Sequence, residues 1–303
     1  MSRLRRLTAI AGVAAMVTGA YAQPAGATFA GPNGLVTFVA HTGSGNQIYT
    51  VHPNGHALRQ ITDVDGEALA PDWSPDGSRI AFAWNECNIA LMDPDGTDMT
   101  VLPSETPGGC ETDPSFTPDG TRLVYERYDP STEDDAVWSM SVDGSDRRPV
   151  TSAGAPDPNV SPDGEKVSFL GGTSEESSAI FTTALDGGDL FRVTSPSGVA
   201  FKHDWAPDGQ RLVFTDNAND TSRPSNIATI RPDGTGLRYL TDNVRPDQRA
   251  YVGSYSPDGR WIVFRGEDDG NHGLYRMRPD GRALHTILPA SDFRPRFIDW
   301  GAR

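Results

Sequence analysis

One tetrapeptide returns along the chain at nearly constant intervals, and its period constrains the fold more than any other feature. The pattern Ser/Thr/Ala-Pro-Asp-Gly occurs at Ser74–Gly77, Thr117–Gly120, Ser161–Gly164, Ala206–Gly209 and Ser256–Gly259. The spacings are 43, 44, 45 and 50 residues, and a degenerate copy at Gly31–Gly34 stands 43 residues before the first. A period of this length is typical of arrays and propellers built from one repeated supersecondary unit. We therefore expect six copies of that unit.

Each unit carries a second turn about 20 residues after the first. These turns are Asn54-Gly55, Asp95-Gly96, Asp143-Gly144, Asp186-Gly187, Asp233-Gly234 and Asp280-Gly281. Pro presets φ at a turn corner, Asp bonds its own backbone, and Gly takes the positive φ that closes a hairpin. We interpret each Pro-Asp-Gly as a hairpin corner rather than a calcium ligand. The segment 93–98 resembles a calcium loop but lacks the bidentate Glu of its twelfth position.

Short β-branched and aromatic runs lie between the turns. The second strands of the units are predicted at Leu35–Phe38, Arg79–Phe82, Arg122–Tyr125, Lys166–Phe169, Arg211–Phe214 and Trp261–Phe264. The third strands are predicted at Gln47–Val51, Asn88–Leu91, Val137–Met140, Ile180–Thr183, Asn226–Thr229 and Leu274–Met277. The outer strands are expected near Gln60–Thr62, Val101–Pro103, Val150–Thr151, Val193–Thr194, Leu240–Thr241 and Ile287–Pro289. Four strands in about 45 residues make one propeller blade.

An innermost strand precedes only five of the six units. These strands are predicted at Pro71–Trp73, Pro114–Phe116, Pro158–Val160, His203–Trp205 and Gly253–Tyr255, and the missing sixth matches Pro295–Trp300 at the C-terminus. A C-terminal strand that completes the first blade removes the exposed edges of an open array. We therefore predict an all-β fold over residues 29–303: a six-bladed β-propeller of four-stranded antiparallel blades, closed by the C-terminal strand.

The N-terminus reads as a signal for export. Arg3, Arg5 and Arg6 precede an apolar run of about 14 residues, and Ala20-Tyr21-Ala22 forms a small-x-small cleavage site. This pattern predicts a secretory signal peptide over residues 1–22, because the apolar run is too short to span a bilayer. No later stretch is apolar enough for a transmembrane segment. The mature protein is expected to be secreted, either extracellular or in the periplasm and cell envelope.

The only two cysteines, Cys87 and Cys110, are 23 positions apart. In an exported protein such a pair is more often a disulfide than a metal or redox site. Both also map to the same end of the propeller, one in an intra-blade loop and one in the next inter-blade connection. The sequence therefore predicts a Cys87–Cys110 disulfide.

The chain is acidic, with 41 Asp and Glu against 26 Lys and Arg and a net charge of −15. This balance argues against a nucleic-acid partner, which requires a basic surface. Twelve acids fall in the intra-blade loops of one face: Glu86, Asp129, Glu133, Asp134, Asp135, Glu175, Glu176, Asp216, Asp220, Glu267, Asp268 and Asp269. They form either a solvated solubility surface or a docking face for a cationic partner or a divalent metal.

Polar residues of both signs stand where the innermost strands begin, and these starts should surround the mouth of a central channel. The candidate binding residues there are Asp72, Asp113, Asp157, Asn159, His203, Asp204, Arg294 and Arg296, accompanied by Lys202 and Ser254. They form either a ligand site or a water-filled channel with mutually satisfied polar groups. His41, His203 and His272 map near the same face and offer a three-histidine metal site as a further alternative.

The repeat resembles a known family. The unit Pro71–Phe82, with its trailing Asp95-Gly96, is similar to the WD-like repeat of TolB-type propellers, and the resemblance covers residues from about 29 to 303. It implies the propeller part alone, without the N-terminal domain of TolB. Similar repeats occur in propellers that gate prolyl oligopeptidase family peptidases, in tricorn-like proteases and in some polyuronate lyases.

No sequence motif identifies a catalytic centre. The chain has no Gly-x-Ser-x-Gly elbow and no His-Glu-x-x-His motif. The leading hypothesis is an exported, monomeric, non-catalytic module that binds a protein, peptide or glycan at one propeller face, with no cofactor. The alternative is a metal-assisted lyase or hydrolase at the channel mouth, which would use Asp157, His203, Asp204 and Arg296 with a divalent metal. A purely structural surface protein is a third hypothesis.

Overall fold

The fold of the chain is given by a computed structural model. It describes residues 29–43, 45–85, 87–105, 108–152, 156–172, 178–195, 200–217 and 222–303. The predicted signal peptide, residues 1–22, lies outside the described residues. Within the described ranges there is no helix with the length and apolar character to cross a membrane.

The described strands form six four-stranded antiparallel sheets, and each sheet is one blade. Blade 1 contains β24 (Arg296–Ala302), β1 (Asn33–Thr42), β2 (Gly45–Val51) and β3 (Arg59–Gln60). Blade 2 contains β4 (Ala68–Trp73), β5 (Ile80–Trp84), β6 (Asn88–Met92) and β7 (Thr100–Val101), and blade 3 contains β8 (Cys110–Phe116), β9 (Arg122–Asp129), β10 (Asp134–Ser141) and β11 (Arg148–Pro149).

The other three blades repeat this order. Blade 4 contains β12 (Asn159–Val160), β13 (Lys166–Gly171), β14 (Ala179–Ala184) and β15 (Phe191–Arg192), and blade 5 contains β16 (Ala200–Trp205), β17 (Leu212–Asp216), β18 (Asn226–Ile230) and β19 (Arg238–Tyr239). Blade 6 contains β20 (Arg249–Tyr255), β21 (Ile262–Asp268), β22 (Asn271–Met277) and β23 (His285–Ser291). The prediction of a six-bladed propeller is therefore confirmed.

The outer strands differ from the prediction, which placed five of them one or two residues too late. In four of these five blades, a threonine that was assigned to the strand ends it instead. Thr62 Oγ1 accepts the Ile48 N–H at 2.8 Å, and Thr194 Oγ1 accepts the Ile180 N–H at 2.8 Å. The side chain thus replaces the main-chain carbonyl as the partner of the third strand, and regular pairing stops there.

The ring closes without a covalent link between its first and last strands. β24 pairs antiparallel with β1, with Val36 opposite Trp300 and Thr37 opposite Asp299. The Arg303 N–H donates to Pro32 O at 3.0 Å beside them. The predicted closure by the C-terminal strand is confirmed, and segment 31–34 lies where the two strands meet rather than in a hairpin.

The Pro-Asp-Gly turns use their aspartates internally. In blade 2 the Gly77 N–H donates to Ser74 O at 2.9 Å, and Asp76 Oδ1 accepts the Ser78 N–H at 3.0 Å and the Ser74 hydroxyl at 2.7 Å. Gly77 has φ of +68°, which an L side chain rarely adopts. These hydrogen bonds lower the pKa of Asp76 and keep it ionised. The interpretation as hairpin corners is supported by this geometry.

The hydrophobic core is divided among the seams between blades. Each of six buried clusters joins two neighbouring blades, as Val39 and Ile48 of blade 1 pack with Trp73 and Phe82 of blade 2. At this seam the Trp73 indole lies so close to Gly301 that an added Cβ would be 2.4 Å from its ring. Both faces of every blade are consequently apolar, which explains the nearly continuous apolar runs of the second strands.

Aspartates of the innermost strands tie three of the blades to the next one. Asp72 Oδ2 accepts the Phe116 N–H of blade 3 at 2.9 Å, and Asp204 Oδ2 accepts the Tyr255 N–H of blade 6 at 2.8 Å. Asp299 Oδ2 accepts the backbone N–H of the Trp that follows Asp72, at 3.1 Å, and so links blade 1 to blade 2. We call these contacts the inter-blade clasps.

The seam between blades 2 and 3 has two further links. Cys87 and Cys110 form the predicted disulfide. Nearby, the Arg147 guanidinium of blade 3 donates to Pro103 O in the connection from blade 2. Within blade 3 it also donates to Glu111 Oε1 at 2.7 Å and to the Tyr125 hydroxyl at 2.8 Å, and the side chains of Arg147 and Glu111 are 2% and 1% exposed. Removal of either partner of such a pair would leave a buried charge uncompensated.

Replacement of both cysteines by serine should lower the free energy of unfolding by about 3 kcal/mol, because the disulfide closes a loop of about 24 residues in the unfolded chain. Urea titration of the oxidised protein and the double variant measures the difference. Intact mass with and without reductant is the control for the bond itself. An unchanged midpoint, or two free thiols in the native protein, would contradict the assignment.

The inter-blade clasps make a second prediction at Asp299. Asp299→Ala should destabilise the fold by about 1–3 kcal/mol, because the buried Trp73 N–H loses its acceptor. Asp299→Asn keeps an acceptor oxygen and should remain near the wild-type stability. Asp292→Ala, at an exposed residue of the connection that leads into β24, is the matched control. Equal losses in the Ala and Asn variants of Asp299, measured by urea unfolding, would show that charge rather than the clasp is responsible.

Candidate functional site: the central channel and its mouth

Five of the six innermost segments have positive φ at one equivalent position, which in four of them lies four residues before the turn motif. Asp113, Asp157 and Lys202 have φ of +47°, +55° and +31° there, and Ala70 and Phe297 also have positive φ. Register shifts mark the same place in the pairing of β4, β8 and β16 with their neighbours. Such bulges interrupt regular alternation and re-aim side chains. They bring three charged residues to the channel wall.

The channel narrows to a small cavity at this level. The space open to the centre of a water-sized sphere is about 40 Å³. The side chains around it include Asp72, Asp113, Asp157, Asn159, His203, Asp204, Lys202, Ser115, Ser254, Asp299 and Phe29. Since one such sphere needs about 10–15 Å³, the cavity has room for a few waters and no larger ligand.

Three charged or titratable groups meet on the wall between blades 4 and 5. Lys202 Nζ donates to Asp157 Oδ1 at 3.1 Å, and His203 Nδ1 lies 3.5 Å from Asp157 Oδ2. On its other side His203 Nε2 is 2.8 Å from the Ser168 hydroxyl. Burial raises the pKa of Asp157, but Lys202 and His203 outweigh this effect and hold the pKa well below its usual value. Asp157 is therefore an ionised, paired carboxylate.

Two neighbouring carboxyl groups, those of Asp113 and Glu126, lie in blade 3. Burial, and then the charge of Asp157, raise the pKa of Asp113 to about 6. Burial, and then the charge of Asp113, raise the pKa of Glu126 to about 8. Two carboxylates this close do not both ionise readily, so the pair retains a proton near neutral pH.

The clasp aspartates have raised pKa values for a related reason. Burial, and then the charge of Asp299, raise the pKa of Asp72 well above its usual value, and burial raises that of Asp299. The backbone N–H donors of the next blade act in the opposite direction. Closure of the ring therefore concentrates several carboxyl groups in one small volume.

The structure brings six of the eight predicted binding residues together in the channel wall and leaves two outside it. Asp72, Asp113, Asp157, Asn159, His203 and Asp204 line the cavity, whereas Arg294 and Arg296 do not. The Arg296 guanidinium instead donates to Asn46 Oδ1 at 2.6 Å. Both arginines belong to the end of the propeller that carries the intra-blade loops and inter-blade connections, which we call the loop face.

Two carboxyl groups at or near the channel wall, those of Asp299 and Glu126, were not identified from the sequence. Asp299 occupies the same place before Trp300 as Asp72 and Asp204 do before their tryptophans, so the repeated Asp-Trp dipeptide could have identified it. Glu126 follows a predicted strand directly, and no sequence signal distinguishes it from a solvent-facing residue.

The three histidines do not come together. His203 is held by Ser168 and Asp157, while His272 Nδ1 lies 3.4 Å from Glu267 Oε2 in blade 6. His41 pairs with Asn46 in the β1–β2 ladder. In the described part of the chain, no group of three or more His, Cys, Asp or Glu side chains is arranged to hold a metal ion. The three-histidine arrangement is therefore wrong.

The acidic surface is interrupted by basic side chains. Glu86, Glu175, Glu176, Asp220 and the side chain of Asp134 lie outside the described residues. Of the remainder, Asp268 pairs with Arg245 and Asp129 lies 3.6 Å from Arg127. Arg245 stands in an inter-blade connection, and Arg249 and Arg296 stand in innermost strands. The loop face is thus mixed in charge.

The proton that the Asp113 and Glu126 pair retains leads to a prediction about how folding stability depends on pH. The raised pKa of Glu126 means that the folded protein keeps a proton which the unfolded chain releases, so stability should fall as the pH rises from about 4.5 to about 8. Glu126→Gln cannot ionise and should exceed the wild type by on the order of 1 kcal/mol at pH 8, with little difference at pH 5. Thermal unfolding between pH 5 and 8.5 measures this. Glu133→Gln, at an exposed residue of the same blade, is the control, and parallel pH curves for wild type and Glu126→Gln would refute the idea.

Comparison with solved structures shows the same architecture elsewhere. TolB from Acinetobacter baumannii superposes with a TM-score of 0.74 at 19% identity, over 89% of this chain and 67% of that chain. At this identity the likeness concerns the fold.

Curated relatives match only part of their own length. The TolB homolog of Chlorobium luteolum is 29% identical over 207 residues, which are 66% of this chain and 45% of that protein. The uncharacterized peptidase YuxL of Bacillus subtilis is 24% identical over 204 residues, which are 55% of this chain and 30% of that protein. The chain therefore spans less than half the length of either relative.

A family match covers nearly all of the propeller. The family described as TolB beta propeller domain, PD40, matches residues 8–155 and 156–294. The six repeats, the closing C-terminal strand and the TolB structure agree with it. The chain belongs to the PD40 family of TolB-type β-propeller domains.

Proposed function

We propose that this protein is an exported, non-catalytic binding module that presents its loop face and channel mouth to a protein, peptide or glycan. The single observation that carries the proposal is the contrast between the two ends of the propeller. The opposite end, which we call the turn face, holds five Pro-Asp-Gly turns of the same length. On the loop face, the intra-blade connections range from two residues (43–44) to nine (217–225). Variable loops on a uniform scaffold are where binding residues usually stand.

The channel wall supports binding at the mouth rather than deeper in the channel. Asp72, Asp204 and Asp299 hold backbone N–H groups of neighbouring blades, and Asp157 is paired with Lys202. The cavity beside them admits only a few waters. These carboxylates have structural partners, so we assign recognition to the loop face above them.

Two observations support export. The predicted signal peptide directs the chain out of the cytoplasm. The Cys87–Cys110 disulfide suits an oxidising compartment such as the periplasm or the cell exterior. Two of the proteins similar to this chain are named TolB or TolB homolog, and we take from them a place in the cell envelope as part of the proposal.

The lyase or hydrolase alternative stays a prediction. His203 and Asp157 are next to each other in the channel wall, but Arg296 lies outside the channel lining and bonds Asn46. No contact in the described structure joins the four residues named for that mechanism into one site.

A photo-crosslinking amino acid placed at exposed positions of the two faces tests the proposal. Asp268 and Asp292 represent the loop face, and Glu165 and Arg260 the turn face. In the intact envelope of the native host we expect a discrete crosslinked product from positions 268 and 292 and none from 165 and 260. The turn-face positions are the matched controls for expression and random collision. Products from both faces, or from the turn face alone, would refute recognition by the loop face.

A further inference from the structure

Arginine side chains gather at the loop face between blades 6 and 1. We call Arg265, Arg294 and Arg296 the arginine cluster, and Arg249 stands beside it in β20. Arg294 is exposed, Arg296 is half-buried, and Arg265 is only 4% exposed. In a chain of net charge −15, such a local excess of positive charge calls for a specific explanation.

Arg265 is held rigidly but is not fully satisfied. Its Cζ lies 3.9 Å from the ring centroid of Tyr251, and its Nη1 donates to Pro295 O at 3.3 Å. Its Nη2 is 3.8 Å from Glu267 Oε2, outside ordinary hydrogen-bond distance. The Nε–H is buried and has no hydrogen-bond partner among the described residues. A buried donor on a charged group is costly to leave unpaired, so an acceptor that reaches this Nε–H would stabilise it.

Arg294 provides the second positive charge. It makes no hydrogen bond or ion pair with the part of the chain that the structure describes. It directly precedes Pro295, whose carbonyl oxygen accepts the Arg265 Nη1–H, so it stands beside Arg265. Burial, and then the charge of Arg294, lower the pKa of Arg265 to about 10 and also lower that of Arg296. Repulsion among guanidinium groups of this kind would be relieved by an anion that contacts two of them.

The carboxylates of the protein do not fill this role. Glu267 is shared between Arg265 and His272, at 3.8 and 3.4 Å. Glu67 accepts hydrogen bonds from the backbone N–H and the side-chain amide of Asn46. Two engaged carboxylates therefore face three guanidinium groups, and the cluster keeps a net positive charge.

The surroundings restrict the kind of anion. Asp268, Asp269 and Asp292 are exposed on the adjoining loops. A polyanion such as a polyuronate or a nucleic acid would meet this acidic rim, whereas a single carboxylate among neutral or basic groups would not. A guanidinium also offers a planar fork that matches a carboxylate.

We propose that the arginine cluster is a subsite for one carboxylate of a peptide, which is bound between the Arg265 Nε–H and the Arg294 guanidinium. This inference rests on the proposed function and specifies its ligand chemistry. The neighbouring acids then select peptides whose other residues are neutral or basic.

Side-chain NMR tests the subsite directly. The probe is acetyl-glycylglycine, which ends in a free carboxylate, and its C-terminal amide is the matched neutral control. In protein labelled with ¹⁵N-arginine, the Nε–H resonance of Arg265, assigned with Arg265→Lys, should shift saturably with the acid and not with the amide at equal ionic strength. An equal response to both probes, or no response to the acid, would overturn the proposal.

The exposed member of the cluster provides the variant test. Arg294→Gln should weaken binding of acetyl-glycylglycine about tenfold or more, since it removes a charge-assisted contact without disturbing a described internal bond. Arg282→Gln, at an exposed arginine of a turn-face hairpin, should leave the affinity unchanged. Equal affinity in wild type and Arg294→Gln would refute the site. If inorganic phosphate or oligogalacturonate bound more tightly than the dipeptide, the preferred ligand would be a polyanion, and the proposal of a single-carboxylate peptide would be refuted.

The photo-crosslinking experiment separates failure of the subsite from failure of the module. Crosslinks from position 268 that persist in Arg294→Gln, together with no dipeptide binding, would refute the subsite and leave the module intact. Dipeptide binding without any loop-face crosslink in the wild type would refute the proposed function and leave the carboxylate subsite standing.

Discussion

The ring depends on hydrogen bonds that run from a side chain of one innermost strand to the backbone of the next. Hydrophobic seams are non-directional and would tolerate a range of blade angles. The clasps at Asp72, Asp204 and Asp299 specify one angle, because each carboxylate must reach a particular N–H of its neighbour. The hydroxyl oxygen of Ser115 accepts the Val160 N–H at 3.5 Å in the same way, so a serine makes the same kind of contact between blades 3 and 4. The blades therefore keep a fixed arrangement around a very narrow channel.

Carboxylates that are crowded around this narrow axis repel one another. Two features of the structure reduce that repulsion. Lys202 supplies a positive charge that stabilises the ionised form of Asp157. Asp113 and Glu126 instead share a proton, since burial and mutual repulsion disfavour two charges. The positive charges of Arg265 and Arg294 lie beyond the channel lining and do not neutralise it. The channel wall and the arginine cluster thus carry opposite charges.

The period of the turns and the strand count were sufficient to predict the fold. Turn chemistry depends on residues adjacent in sequence, and the missing innermost strand could be found at Pro295–Trp300 by its match to the repeat. The ends of the outer strands were less predictable, because Thr62 and its equivalents have high strand propensity yet bond through their hydroxyl groups. The bulges were invisible in the sequence, since Asp113, Asp157 and Lys202 share a backbone conformation and not a residue type. Arg265 is 14 positions from Tyr251 in the sequence, and only strand pairing places it over that ring.

The closure of blade 1 has a mechanical consequence. β1 begins where β24 ends, with Asn33 opposite Ala302, and the two strands are antiparallel. Tension applied through those two residues loads the hydrogen bonds of the pair one after another, as in a zipper, rather than all together in shear. The same tension across any other blade would first meet a continuous peptide hairpin. Blade 1 is therefore the place where a pulling force would open the ring.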